Sequence, residues 1–288
     1  MANLANRLPE NAPGNFYVDR SCIDCDTCRR VAPEVFTEGD GFSYVRSQPG
    51  SEAARLRALM ALVACPTASI GTVQRTDARP GAQAFPEPVA ENVSFCGFTS
   101  ESSFGAWSYL IERPEGNVLV DSPRAAGPLV SGLESRGGAA ILYLTHRDDV
   151  ADAGRYAEHF GSRRIIHREE LSSQPGAEVV LDGEGPWELA PGFLAIPTPG
   201  HTKGHCVLLF NERFLFTGDH LDWDRDARRL SASEDYCWYS WPQQAESMAR
   251  LAAYRFEWVL PGHGQRARLP AEEMRGQILC LAESMREG

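Results

Sequence analysis

The sequence predicts a mixed α/β chain in two parts, a small cysteine-rich domain followed by a larger domain of layered strands and helices. Three observations carry that expectation. Strand and helix signals alternate from about residue 91 onward, a hairpin pattern occupies 197–220, and Cys22, Cys25, Cys28 and Cys65 crowd the beginning of the chain ahead of a proline-rich stretch at 73–90. With 288 residues the chain has enough length for two hydrophobic cores.

Composition narrows the function classes. A net charge of −11 and a pI near 5.2 argue against a nucleic-acid partner, which needs a basic face. No apolar run approaches the ~20 residues that span a bilayer, so no membrane partner is expected. The N-terminus, with Pro9 and Pro13, lacks the apolar core of a signal peptide, which predicts a cytoplasmic protein. Closely spaced cysteines in such a compartment point to metal rather than disulfides. The single lysine, Lys203, reads as a solvated loop residue despite its place between two histidines.

Residues 1–14 read as a disordered N-terminus and 15–72 as the first domain. Within it, Ser51 to Val63 has helical apolar spacing behind a serine suited to an N-cap, and this helix returns Cys65 towards the first three cysteines. The pattern C-x2-C-x2-C followed at a distance by Cys65-Pro66 supplies four thiolates. The tight loop wraps three corners of a cubane iron–sulfur cluster and the distant cysteine closes the fourth. Four thiolates also suit zinc, but zinc sites usually pair two C-x2-C knuckles. Over roughly residues 15–72 the chain resembles the bacterial-type ferredoxins. Their two-cluster members place a fourth cysteine where this chain has Ala32-Pro33, so the resemblance implies one [4Fe-4S] cluster on Cys22, Cys25, Cys28 and Cys65, with a three-iron cluster as an alternative.

Residues 73–90, with three prolines and little periodicity, are expected to be a stiff, extended linker to a second domain at 91–288. There, 107–121 reads as a hairpin, 139–146 as a buried strand, 149–160 as an amphipathic helix and 163–167 as a strand. Further strands are expected near 178–181, 193–197 and 256–260, with a helix at 243–254. Cys206–Phe210 and Arg213–Thr217 form the hairpin about Asn211-Glu212, a two-residue turn that sets His205 opposite Gly218 and Cys206 opposite Thr217. His201 and Asp219 then share its open end, within reach of one metal ion.

His146, Asp219 and His263 each follow a predicted strand and His201 precedes one, which is where sites are assembled on a rigid sheet. The set Thr-His146, Pro-Gly-His201-Thr, Thr-Gly-Asp219 and Leu-Pro-Gly-His263-Gly resembles the metallo-β-lactamase superfamily in order and context. That resemblance implies an αββα sandwich with a metal site at one edge of the packed sheets. The family's first motif is usually His-x-His-x-Asp-His, whereas this chain reads His146-Arg-Asp148-Asp149-Val150-Ala151. Asp148 stands in for the second histidine, and the Asp and His of the second metal become Val150 and Ala151. A shifted alignment brings in Asp152, and Asp149 is a further candidate.

His146, His201 and Asp219 match the two-histidine, one-carboxylate arrangement of non-haem Fe(II) sites, with His263 and Asp148 as added ligands. Within the superfamily this set is similar to that of the persulfide dioxygenases. The carboxylate in the first motif also resembles the flavodiiron branch. Asp148, His205 and His220 are the candidate proton-transfer groups, with packing as the alternative for the two histidines, and with an N-cap as the alternative for Asp148. His159 and His167 carry no signal, while Trp223 and the aromatics at 236–241 are candidates for pocket lining or for loop packing.

A hydrolytic metal has no use for an electron carrier, whereas a cluster in the same chain serves a metal that changes oxidation state. The expected function is therefore a redox metalloenzyme acting on a small molecule. The cluster takes electrons from an external reductase or ferredoxin and passes them to non-haem iron. One alternative is a zinc or iron hydrolase of thioesters or lactones, similar to the glyoxalase II branch, with a structural or regulatory cluster. The other is a non-catalytic redox sensor or electron-transfer module.

Overall fold

The computed structural model describes residues 1–287. The described residues form two compact units, residues 1–140 with 151–161, and residues 141–150 with those from 162 onward. Among the described residues no helix is long and apolar enough to cross a membrane.

In the first unit, strands Phe16–Val18 and Ile70–Thr72 pair antiparallel, as do Phe36–Glu38 and Ser43–Val45. Helix Glu52–Ala64 begins where expected, with the Ser51 hydroxyl accepting from the Ala54 N–H. Residues 1–14 are not disordered, contrary to the expectation. A short 3-10 turn spans Leu4–Asn6, and buried Asn11 stitches three segments together. Its amide donates to the carbonyls of Leu8 and Val18, and its oxygen accepts from the N–H groups of Val18 and Val45. The polar composition that reads as disorder is here spent on satisfying backbone groups.

Residues 73–90 are not an extended linker either. Helix Arg79–Gln83 lies so close on helix Glu52–Ala64 that a Cβ on Gly81 would meet the Leu59 carbonyl oxygen at 2.5 Å. Strand Glu87–Ala90 then pairs with Val93–Phe95, and Tyr109–Ile111 and Val118–Val120 extend the antiparallel run. Two of the three prolines mislead because they occupy permissive places: Pro80 sits in the first turn of a helix and Pro88 on a terminal strand. Helices Gly127–Glu134 and Ala153–Phe160 complete this unit, which does not divide at residue 91.

The second unit contains three parallel strands, Ile141–Tyr143, Arg163–His167 and Val179–Leu181. Its other strands form a sheet in the order Trp187–Ala190, Phe193–Pro197, Cys206–Phe210, Phe214–Gly218, Trp258–Pro261 and Ala267–Arg268. All neighbours there are antiparallel except Phe214–Gly218 with Trp258–Pro261. Helices Trp241–Leu251 and Ala271–Glu287 cover one face, where Val207, Leu209, Leu215 and Val259 meet Met248, Leu251, Met274 and Ile278. Every residue of the two central strands is buried, as expected for a sheet covered on both faces. Full burial of each Val, Leu or Phe side chain among them contributes roughly 1.5–3 kcal/mol.

The central hairpin differs from the expected register by one residue. Asn211 and Glu212 both take left-handed φ (52° and 50°), and the Arg213 N–H donates to the Phe210 carbonyl, so the two-residue turn is real. Arg213 is then left out of the ladder, because its carbonyl accepts from the N–H groups of Glu257 and Trp258. Phe210 consequently faces Phe214, and Leu208 faces Phe216.

Candidate metal centres

Cys22 to Cys28 form a tight loop in which Asp24 and Asp26 have left-handed φ (58° and 65°), and helix Thr27–Val31 follows with Cys28 in its first turn. Cys65 caps the C-terminus of helix Glu52–Ala64. None of the four cysteines forms a disulfide. The Cys22 sulfur accepts from the Ser43 N–H and the Cys65 sulfur from the Ser69 N–H, each at 3.3 Å. Burial pushes the thiols of Cys22, Cys25 and Cys28 upward, and their mutual repulsion as thiolates adds to this. Iron supplies the positive charge that keeps such sulfurs ionised, and the N–H donors suit ionised sulfur, so the four residues fit an iron–sulfur cluster.

The second centre is assembled from loops after three strands and a turn before a fourth. Strand Ile141–Tyr143 leads into His146, and the Thr145 carbonyl accepts from the Cys206 N–H, fixing this loop beside residues 201–205. On the far side, pairing of Gly218 with Pro261 and a bond from the Gly262 N–H to the Gly218 carbonyl bring His263 to Asp219.

Four donor atoms form a ring of alternating nitrogen and oxygen. His146 Nε2 lies 3.7 Å from Asp148 Oδ2 and 3.5 Å from Asp219 Oδ2. His201 Nε2 lies 3.5 Å and 3.7 Å from the same two oxygens. Metal–ligand bonds of ~2.0–2.2 Å at tetrahedral angles put neighbouring donors roughly 3.3–3.6 Å apart, so the ring has the size of one coordination shell. Asp148 Oδ2, His201 Nε2 and Asp219 Oδ1 are buried atoms with no hydrogen-bond partner, as expected of atoms reserved for a cation.

A second group lies beside the first. Asp149, nearly fully buried, comes together with His146 and Asp219, and His263 Nε2 is 3.8 Å from Asp219 Oδ2. Gly262 makes room for the carboxylates, since a Cβ there would meet Asp149 Oδ2 at 2.6 Å and Asp219 Oδ1 at 2.8 Å. Two carboxylates buried this closely repel unless a cation lies between them. Burial alone would raise the Asp219 carboxyl, but the surrounding imidazoles, His263 foremost, hold it far below the usual range. The His201 imidazole likewise keeps Asp148 low. Asp149 therefore occupies ground that sequence comparison assigned to Val150 and Ala151. Its depth and the adjacent glycine single it out from Asp152, the other candidate of that stretch.

The imidazoles are aimed by their other nitrogens. His201 Nδ1 is 2.7 Å from the Tyr236 carbonyl, which can only accept, so Nδ1 carries the proton and Nε2 presents its lone pair to the centre. His146 Nδ1 is 2.9 Å from the Thr145 hydroxyl, leaving its Nε2 inward. The loop that supplies the Tyr236 carbonyl also donates the Trp238 N–H to the His201 carbonyl, and it exposes Tyr236, Trp238 and Tyr239. Of the candidate aromatics, Trp238 has its ring 6.2 Å from that of His201 and Tyr236 lies against Trp238, whereas Trp223 and Trp241 pack on the core.

His205 and His220 are fully buried and stacked on each other at 5.6 Å, with His205 behind His146 at 5.0 Å. Burial keeps both neutral, with His220 lowered to about 3. The solvent-facing rim is instead Asp148 and His263, whose side chains are 43% and 31% exposed. Asp152 lies elsewhere: its carboxylate accepts from the Ala125 N–H at 2.7 Å and pairs with Arg155. Lys203 is half-exposed and pairs with Glu169, His159 pairs with Glu134, and the His167 ring accepts from the Glu169 N–H.

One supporting residue has no sequence signal. Glu170 is fully buried, accepts from Arg147 Nε and accepts from the Gly204 N–H at 2.6 Å. It thereby ties the loop that carries His146 to the loop that carries His201. A glutamate next to Glu169 in a polar turn gives no hint of this.

Comparison with known proteins finds matches for both parts of the chain. Residues 18–72 match the family described as the 4Fe-4S single cluster domain of Ferredoxin I. The solved DIM-1 metallo-β-lactamase superposes with a TM-score of 0.51 at 17% identity, covering 69% of this chain and 96% of that one. A metallo-β-lactamase from Pontibacter korlensis gives 0.50 at 16% identity, covering 68% and 97%. The chain joins a single-cluster ferredoxin-type domain to a metallo-β-lactamase fold. A third metallo-β-lactamase-fold structure, FIM-1 from Pseudomonas aeruginosa in its mono-zinc form, gives 0.50 at 18% identity, covering 68% and 93%. At these identities the likeness concerns the fold alone.

Proposed function

We propose that the protein is a redox metalloenzyme in which His146, Asp148, His201 and Asp219 hold one iron ion, while Asp149, Asp219 and His263 hold a second. The reading rests above all on the donor set. Three carboxylates accompany three histidines, and oxygen-rich, anionic ligation stabilises the higher charge of an ion that is oxidised and reduced. A ferredoxin-type domain in the same chain adds an electron carrier, for which hydrolysis has no need. When loaded, the two centres supply one-electron chemistry, with electrons entering at the four cysteines from an external reductase or ferredoxin and used at the iron on O2 or a small oxidised substrate.

The protein's own groups do the rest. Asp148, on the exposed rim, offers its second carboxylate oxygen as the group that accepts and returns protons at the open side. Glu170 and the Tyr236 carbonyl keep the ligand loops and the His201 tautomer fixed. Trp238, with its ring 6.2 Å from that of His201, and Tyr236 flank the entrance and stack against an apolar or planar part of the substrate. His205 and His220 pack behind the ligands.

The test is anaerobic purification, metal analysis, and EPR during stepwise reduction. Iron beyond the cluster that changes oxidation state supports the reading, whereas stoichiometric zinc with no second redox centre overturns it. The metallo-β-lactamase neighbours favour one competing reading, a hydrolase. Thioester or lactone hydrolysis that survives Cys25→Ser would establish that alternative.

A further inference from the structure

Helix Thr27–Val31 places Arg30 two residues beyond Cys28, and the arginine is buried where a surface position would cost less. Its side chain is 1% exposed, and its Nε lies 3.2 Å from Asp26 Oδ1 in the turn between Cys25 and Cys28. The guanidinium carbon sits 4.3 Å over the ring of Trp107, which is itself buried and stacked on Phe95 at 3.9 Å. Neighbouring contacts close the same corner. The Thr27 hydroxyl donates to the Gly105 carbonyl at 3.1 Å, and a Cβ on Gly105 would meet the Cys25 sulfur at 2.8 Å. Arg29, one residue earlier, pairs with Asp24 and Ser43. Arg29 is itself mostly buried, but its charge is taken up by Asp24, whereas Arg30 lies over Trp107 with its Nε 3.2 Å from Asp26, inside the cysteine turn.

We propose that Arg30, pinned by Trp107, is a fixed counter-charge that raises the reduction potential of the [4Fe-4S] cluster, and that Asp26 partly offsets it. The inference rests on the ferredoxin-type reading of residues 18–72. On reduction the cluster takes one electron from the titrant, passing from [4Fe-4S]2+ to [4Fe-4S]+, and with its four thiolates the total charge falls from −2 to −3. A cation held nearby without water to screen it favours the more negative state. Asp26 is 27% exposed, so its opposing charge is better screened than that of Arg30.

The experiment is an anaerobic dithionite titration of the whole protein followed by EPR, with iron and sulfide measured for every variant. Arg30→Met should move the midpoint to more negative potential, Arg30→Lys should retain most of the native value, and Trp107→Leu should give an intermediate negative shift. Asp26→Asn, which keeps a residue tolerant of the left-handed turn, should move it the opposite way. Unchanged midpoints in Arg30→Met and Asp26→Asn, or shifts in the same direction, overturn the proposal. Should Arg30→Met lose its cluster, the metal analysis will show it and Asp26→Asn decides, an unmoved or more negative midpoint being fatal. A native protein without iron and sulfide in cluster ratio refutes the underlying reading instead.

Discussion

The two metal-holding regions solve the same problem in different ways. The cysteine region takes three of its four ligands from one seven-residue loop, Cys22 to Cys28, so spacing along the chain fixes the geometry. The histidine and carboxylate centre draws ligands from 146 to 263, and the packing of strands and two buried contacts fixes its geometry. In the first region ligand identity is a local property. In the second it is a property of the fold, and a residue such as Asp149 becomes a candidate through burial beside Asp219.

That contrast can be broken by removing one ligand from each region. Replacing Asp219, which touches both ion positions, has the largest expected effect: Asp219→Asn should strip both ions from the second centre and leave about four irons per chain in the cluster. Metal analysis with EPR reads both, and loss of the cluster signal as well would show that the regions are not independent. Cys25→Ser is the mirror experiment, expected to abolish the visible cluster absorption while the second centre keeps its metal. A smaller change separates the two ions. Asp149→Asn, or Gly262→Ala through its clash with both carboxylates, should reduce the second centre from two ions to one. Two ions retained in both variants would remove Asp149 from the ligand set.

The smallest expected effect belongs to Glu170→Gln, which weakens the tie between the His146 and His201 loops without touching a ligand. Supporting groups of this kind typically change metal affinity by ~10–100-fold. Competition with a chelator should show that loss at the second centre only. An unchanged affinity would mean that the strands alone position the loops.

The same contrast explains what could be read beforehand. The thiolate set, the Ser51-capped helix and the strands 163–167 and 193–197 follow from local spacing, and the structure has them in place. His146, His201, Asp219, His263 and Asp148 lie together, each within 4 Å of another of the set. The one-residue slip at Arg213 was not legible because tertiary bonds to Glu257 and Trp258 cause it. Strand Trp187–Ala190 and helix Ala271–Glu287 were not legible, the former because four residues broken by a register shift between Glu188 and Ala190 are too short to show alternation. Residues 1–14 and 73–90 were misread for a common reason: Asn11, Pro80 and Pro88 are punctuation in isolation, yet they sit in places that only a finished fold defines.

The close approach of Gly81 to Leu59 bears on how the chain can be dissected. A fragment ending near residue 72 would bare the backbone of Leu59 to water. It would also leave the Ala64 carbonyl without the Thr99 hydroxyl and the Val63 carbonyl without Arg124, in the turn that delivers Cys65. Although residues 18–72 coincide with a recognised family, the cysteine region is no detachable cassette. Its natural cut lies beyond residue 124, and transplanting it to another protein would require carrying that later sequence along.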